Sequence, residues 1–309
     1  MEEYQIDIDT ENENVGARID KYLSDALNHC SRSYIQKLLE AGNIKVNDKT
    51  VKSNYKLKEG DSIYICIPEP EEIEITAENI PLDIVYEDDD IIIVNKPKGM
   101  VVHPAPGHFE GTLVNALMYH CRDTLSSING VMRPGIVHRI DMDTTGLIVA
   151  CKNDVSHHVM ADKFKIHDIT RVYTAIVYNH FNEQSGTIDK PIARHKTDRK
   201  KMAIADVPGQ GRRAVTHYKV LEKLSHNFSL IECRLETGRT HQIRVHMASI
   251  QHPLLGDTLY GPKTKPFKTE GQVLHAGTLG FTHPITGNYM EFHSELPEEF
   301  MHILKQLRQ

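Results

Sequence analysis

Residues 138–149 read HRIDMDTTGLIV, a histidine, an arginine and two carboxylates set between the apolar stretches Gly135-Ile136-Val137 and Leu147-Ile148-Val149. Charged groups beside buried strands cost stability unless they are paired or used, so this gap reads as a candidate site. If the strand continues, Arg139, Asp141 and Asp143 share parity and point to one face, and Thr144-Thr145-Gly146 supplies a turn. One carboxylate there suits a nucleophile or a base. The other suits bonding to turn amides, the usual structural role of aspartate near Thr-Gly. Spacing leaves open which aspartate is which.

Outward from this stretch, β-type runs dominate from residue 82 onward. Strands are expected at Ile91–Asn95, Ile136–Ile140, Leu147–Cys151, Val172–Tyr178, Ala214–Leu221, Phe228–Leu235, Val273–Phe281 and Tyr289–Phe292. Leu113–Tyr119 and Thr240–Ile250 carry helical spacing instead. Strands and helices do not alternate regularly and no repeat period shows, which predicts a mixed, largely antiparallel α+β domain over a doubly wound one.

A second polar concentration lies in LETGRTHQIRVHMASIQHPLLGD, residues 235–257. A helix starting near Thr240 would bury Ile243, Met247 and Ile250 and leave Arg239, His241, Gln242 and Arg244 near its N-terminus, where amides and the helix dipole favour an anion. Between the two segments, RVYTAIV places Tyr173 on a strand face. A tyrosine there is either plain core or a platform for a flat ligand such as a nucleobase.

At 309 residues with 39% hydrophobic residues, the chain can bury a full core and has room for one large domain with a small one. The acidic start MEEYQIDIDTENEN lacks the basic residues and apolar run of a secretory signal, and no stretch approaches a membrane span; this reads as a cytoplasmic protein. Five scattered cysteines, none in a CxxC pair, predict reduced thiols, with neither a disulfide frame nor a metal site. The glycine-bearing loops fit neither a P-loop nor a dinucleotide fingerprint, so no nucleotide cofactor is expected.

Net charge is −6, but residues 69–90 hold ten carboxylates (Glu69, Glu71, Glu72, Glu74, Glu78, Asp83, Glu87, Asp88, Asp89, Asp90) and no lysine or arginine. The remainder is mildly basic, so the global charge masks local basic faces. One such run is Arg194, Lys196, Arg199, Lys200, Lys201, Arg212 and Arg213 against Asp198 and Asp206. It reads as an arm that tracks phosphates; a merely solvated charge run is the rival.

Residues 15–68 form a separate small unit, followed by an acidic linker over 69–81 and the main domain over 82–309. Ile19, Tyr22, Leu23, Ala26 and Leu27 give one amphipathic helix. Ser33 and Gln36 suggest a capping box for a second, which bears Ile35, Leu38 and Leu39 and stops at Gly42. Short strands follow around Ile44–Val46 and Ile63–Ile67. Arg32 and Lys37 fall off the apolar stripe, on the outside.

The stretch VGARIDKYLSDALNHCSRSYIQKLLEAGNIKVNDKTV resembles the S4 domain, in which the second helix and following turn meet RNA. NKPKG, HRIDMDTTGLIV, RVYTAIV and LETGRTHQIRVH, in that order, resemble the RluA family of pseudouridine synthases. With PIARHKTDRKKMAI and AVTHYKV between them, the likeness is nearest to its RluD-type large-subunit rRNA members. It departs only where Ile140 and Thr145 stand in place of the frequent HRLD and TSG forms.

The resemblance implies an enzyme acting without cofactor on uridine of ribosomal RNA or a pre-ribosomal particle; a monomer is expected. It implies Asp141 as the essential aspartate, Arg244 as its ion-pair partner and Tyr173 against the uracil. Arg139 would enter the helical stack as the target base flips out. Lys96 and Pro97 would shape the pocket wall, and Arg32, Lys37, Lys96, Lys200, Arg239, His241 and Gln242 would contact RNA. Breaking and re-forming a glycosidic bond at C5 suits a carboxylate beside the sugar, as in retaining glycosidases. Two other readings use the same residues: an RNA-binding or ribosome-assembly protein without activity, and a hydrolase with Asp141 and Asp143 as an acid/base pair.

Overall fold

The computed structural model describes residues 2–9, 14–27, 30–68, 75–105, 107–128, 133–205, 207, 209–264 and 266–309. Of the acidic groups singled out above, Glu69, Glu71, Glu72, Glu74 and Asp206 lie outside the described residues. The chain divides into two compact units, Met1–Glu72 and Ile73–Gln309.

The smaller unit contains β1 (Glu2–Asp7), α1 (Ile19–Ala26), α2 (Arg32–Glu40), β2 (Ile44–Val46), β3 (Lys49–Thr50) and β4 (Ser62–Ile67). Its antiparallel sheet runs β1-β4-β2-β3, so the unit begins ahead of residue 15. Ile19, Leu23, Ile35, Leu38 and Leu39 from the helices meet Ile44, Val46, Ile63 and Ile65 from the strands in one apolar core. The cap of α2 is Ser31, whose side chain accepts from the Tyr34 amide at 3.3 Å, and not Ser33. Gln36 is unavailable for a capping box because its amide donates to Asp20 at 2.7 Å.

The larger unit contains β5 (Ile84–Glu87), β6 (Ile91–Lys96), α3 (Leu113–Cys121), β7 (Thr145–Cys151), α4 (Asp154–Ile166), β8 (Thr170–Tyr178) and β9 (Ser185–Asp189). It continues with β10 (Ile192–Arg194), β11 (Met202–Ile204), β12 (Val215–Leu224), β13 (Phe228–Leu235), α5 (Gln242–Ser249), β14 (Leu274–Thr282), β15 (Tyr289–His293) and α6 (Glu298–Leu307). The main sheet runs β5-β6-β7-β14-β8-β13-β12-β9, with β15 also paired to β14, and among the described residues its one parallel pairing is β7 with β14. The class is therefore α+β with a mixed, largely antiparallel sheet.

Alternation along the strands sends side chains to two cores. Ile92, Val94, Ile148, Ala150, Tyr173 and Ala175 pack with residues of α3 and α5. On the other face Ile91, Ile93, Leu147 and Val149 meet Met160 of α4, while Ile176 and Leu230 meet Phe300, Ile303 and Leu304 of α6. Each fully buried Ile or Leu stabilises by about 1.5–3 kcal/mol, so a sheet covered on both faces holds its edges and loops firmly. α4 and α6 were not expected from the sequence.

Two further expectations are corrected. Residues 136–140 form no strand: after Gly135, at φ 70°, a single bridge joins Ile136 to Ala150. The Val149 amide is taken by the ring Nε2 of His138 at 3.0 Å, so a side chain replaces the ladder that would have continued. The acidic connector also ends earlier than residue 81. Ile75 joins the core of the larger unit, the Thr76 carbonyl accepts from the Asn115 side chain at 2.8 Å, and the Glu78 amide donates to the Asn115 carbonyl at 3.0 Å. The described cysteines are free thiols, all buried except half-buried Cys66. No helix among the described residues is long and apolar enough to cross a membrane.

Candidate active site

Asp141 stands in the loop that enters β7. Its carbonyl accepts the Thr144 amide at 3.0 Å, and the turn then feeds Gly146 into the sheet at φ 114°. A Cβ at Gly146 would collide with the Ala276 carbonyl, so only glycine allows β7 and β14 to approach where their parallel pairing begins. That close approach fixes the end of the loop on which Asp141 sits.

Across the cleft, α5 delivers Arg244. The helix starts at Gln242 and not at Thr240, with His241 left-handed at φ 55° just before it. The reason is the Gln242 side chain, whose Oε1 accepts from Arg239 N at 3.0 Å and Thr237 Oγ1 at 2.7 Å and closes the preceding turn. Its Nε2 donates to the Val215 carbonyl and Thr216. Gln242 is buried and spent on that turn, which corrects its assignment as an RNA contact.

Arg244 donates through Nη1 to Asp141 Oδ2 at 3.0 Å, and through Nε and Nη2 to Asp257 at 2.7 and 3.0 Å. Asp257 in turn accepts the amides of Leu259 and Tyr260. The paired carboxylates push the Arg244 pKa up against burial, which acts to lower it. The bidentate grip on Asp257 fixes the plane of the guanidinium, so its remaining edge holds Asp141 in one orientation. The face of the same guanidinium lies 5.2 Å from the centre of the Tyr260 ring.

Tyr260 extends the arrangement. Its hydroxyl accepts the Met202 amide at 2.7 Å and lies within hydrogen-bond distance, 2.8 Å, of His241 Nδ1. His241 Nε2 then faces Asp141 Oδ1 at 4.0 Å. Burial lowers the His241 pKa, and burial pushes the Tyr260 hydroxyl up to about 12. Asp141 thus keeps one oxygen open to a cleft of about 210 Å³ lined also by Tyr173, Arg139 and Leu274. Tyr173 is 8% exposed, and burial raises its pKa, so it meets the cleft as a neutral ring.

Asp143 does not share this face, because residues 138–144 are loop and parity does not apply. It lines a different cavity, of about 650 Å³, with Lys96, Lys98 and Phe300. Its carboxylate bonds no turn amide among the described residues, and burial raises its pKa. The two carboxylates therefore do not form the acid/base pair that a hydrolase reading requires.

Lys96 is also corrected as an RNA contact. It is fully buried, and its ammonium donates to the carbonyls of Pro97, Met100 and Met142 at 2.7, 2.9 and 2.9 Å. Burial lowers its pKa to about 7, against the nearby charges of Asp143 and Asp141. Its effect is to tie the 141–144 loop to the end of β6.

The remaining candidates divide by position. Arg139 is exposed at the rim of the cleft, and half-buried Arg239 lines it while donating Nε to the Arg213 carbonyl. Lys200 is exposed in the turn of the β10–β11 hairpin, which carries much of the basic run. Arg32 and Lys37 belong to the smaller unit. Lys37 is exposed, whereas Arg32 donates twice to buried Asp20. Sequence reasoning missed Asp257 and Tyr260. The signal available was LLGDTLYG, an acid and an aromatic in a glycine-bounded turn shortly after the helix bearing Arg244.

A family model described as RNA pseudouridylate synthase matches residues 90–249, and the S4 domain model matches residues 17–63. The chain belongs to the RNA pseudouridine synthase family: it is an isomerase with an S4 domain at its N-terminus. It is similar to an RNA pseudouridine synthase of Bacillus subtilis, 52% identical over 98% of this chain and 98% of that protein. It is also similar to a ribosomal large subunit pseudouridine synthase D of Zymomonas mobilis, 46% identical over 96% of this chain and 95% of the relative. Among solved structures, human RNA pseudouridylate synthase domain containing 1 superposes with a TM-score of 0.57 at 25% identity, covering 78% of this chain and 98% of its own.

Proposed function

We propose that this enzyme converts uridine to pseudouridine in large-subunit ribosomal RNA, with Asp141 as the nucleophile and the target base everted into the cleft. The observation that carries the reading is the open oxygen of Asp141, held by an arginine that Asp257 itself immobilises. The large-subunit substrate follows the name of the Zymomonas relative and the S4 unit.

In this reading an Asp141 oxygen bonds to C1′ as the N1–C1′ bond breaks. The freed uracil turns within the cleft against Tyr173, C5 bonds to C1′ as the bond from Asp141 to C1′ breaks, the C5 proton leaves to solvent, and N1 takes up a proton from solvent. No redox change and no net transfer occur, so carboxylate, guanidinium and ring suffice. A base held within a helical stack cannot reach Asp141 inside a cleft of about 210 Å³, which is why eversion belongs to the proposal and why Arg139 at the rim suits the vacated stack. The exposed Lys37 and the hairpin around Lys200 supply phosphate contacts. The acting unit is one chain, a monomer.

The test uses RNA tritiated at uracil C5. Wild type is expected to release label to water and leave pseudouridine in the digest, and Asp141→Asn to do neither. Full turnover by that variant would remove Asp141 from the mechanism. Free uracil in the products would replace isomerisation with hydrolysis.

A further inference from the structure

Arg171 lies on β8, two residues from Tyr173 and on the same face of the sheet, and it lines the same cleft. It is only 7% exposed, yet no carboxylate pairs with it among the described residues. Nη2 donates to the Glu236 carbonyl at 3.2 Å, while Nε is buried with no partner among the described residues. The Glu236 carboxylate is turned away, toward Arg213 and His217. The guanidinium rests over the Phe164 ring at 5.7 Å, and a Cβ on Gly238 would stand 2.5 Å from Nη1. The cleft adds positive charge through Arg239 and holds a second buried, unpartnered atom, His167 Nδ1. Burial lowers the pKa of Arg171, but a guanidinium stays protonated, so a desolvated cation stands in the cleft with no counter-ion among the described residues.

A buried cation in a substrate cleft calls for an anion that arrives with the substrate, and RNA brings one at every linkage. We propose that Arg171, with His167 beside it, forms a phosphate subsite that grips a backbone linkage flanking the everted nucleotide. The inference rests on the RNA-modifying reading above. It gives the cleft a cationic wall distinct from the Arg244 cluster: Arg244 is saturated by two carboxylates, whereas Arg171 has a donor to spare.

The test is a set of short RNAs carrying the target uridine, each with one uncharged methylphosphonate linkage, bound to the full chain in a salt series. With wild type, neutralising one linkage near the target should weaken binding about tenfold and lower the salt slope by about 0.7, one single-strand contact. Arg171→Gln should bind the unmodified RNA that weakly and lose nothing further at that linkage. Gly238→Ala, which displaces Nη1 without changing charge, should lose the same coupling, and it carries the test if Arg171→Gln does not fold. Additive losses at every linkage in folded variants, or wild-type affinity in both, would overturn the subsite. Affinity is read without turnover. Absent tritium release by wild type would therefore count against isomerisation alone, leaving the coupling to be judged separately.

Discussion

Two ion clusters, one in each unit, use the same residue types in opposite proportions. In the S4 domain the buried Asp20 takes five hydrogen bonds, from Arg18, Arg32 and Gln36, and both of its oxygens are occupied. In the larger unit one guanidinium, Arg244, serves two carboxylates, and Asp141 retains an open oxygen with a side chain 18% exposed. An excess of donors quenches an anion into a structural pin. An excess of acceptors leaves an oriented anion free to react. Burial would raise the Asp20 pKa, yet Arg18, Gln36 and Arg32 bring it down to about 2, the mark of a group used for cohesion.

The contrast breaks most sharply at the acids themselves. Asp141→Asn should lose about 10³-fold or more in tritium release with little change in melting temperature, whereas Asp20→Asn should leave turnover on a short substrate intact. Comparable losses from both would erase the distinction. Asp257→Asn should cost about 10²-fold in kcat with KM nearly unchanged, because a guanidinium released on one side no longer holds Asp141 in line. An unaffected kcat would show that Arg244 needs no second anchor.

The S4 cluster should register in stability. Asp20→Ala is expected to cost about 1–3 kcal/mol in denaturant unfolding of the smaller unit, moderated because Arg18 and Arg32 are half in water. A cost under about 0.5 kcal/mol would reduce Asp20 to a surface charge.

Acid titration should separate the units more finely. His138 is held down to about 3 and His103 to about 4, chiefly by burial, both below the ordinary 6.5. Between about pH 6.5 and those values the unfolded chain binds more protons, so stability in the larger unit falls as pH falls, by up to about 1.4 kcal/mol per pH unit for each ring. Asp20 also has a lowered pKa, and its contribution persists until pH drops through 3.8 toward 2. Hydrogen exchange should show the larger unit loosening first, and His138→Gln should flatten its slope. Simultaneous loosening would contradict these shifts.

Much of this was legible in the chain. Alternating β-branched runs gave the strands from Leu147 onward, and three ordered motifs picked out Asp141, Tyr173 and Arg244 by resemblance. Expectations failed where a side chain stands in for backbone. His138 bonding the Val149 amide takes the place of the strand expected over 136–140, and Gln242 closing the turn at 237–241 delays a helix. Lys96 read as a surface cation because a lysine beside prolines and glycines gives no sign that three carbonyls converge on it. Asp257 carried no distinguishing pattern, since its meaning depends on a helix folding back to within 3 Å of it.

The sequence by itself determined the class of fold and the family and put Asp141 forward as the candidate acid, because hydrophobic period and motif order are properties of a line of residues. Tertiary structure alone decided which of two neighbouring aspartates faces the cleft, which arginines are spent and which are spare, and that Asp143 lies on the far side of the loop. Those are counts of donors against acceptors in three dimensions, made among residues up to about a hundred positions apart, and no local pattern encodes them.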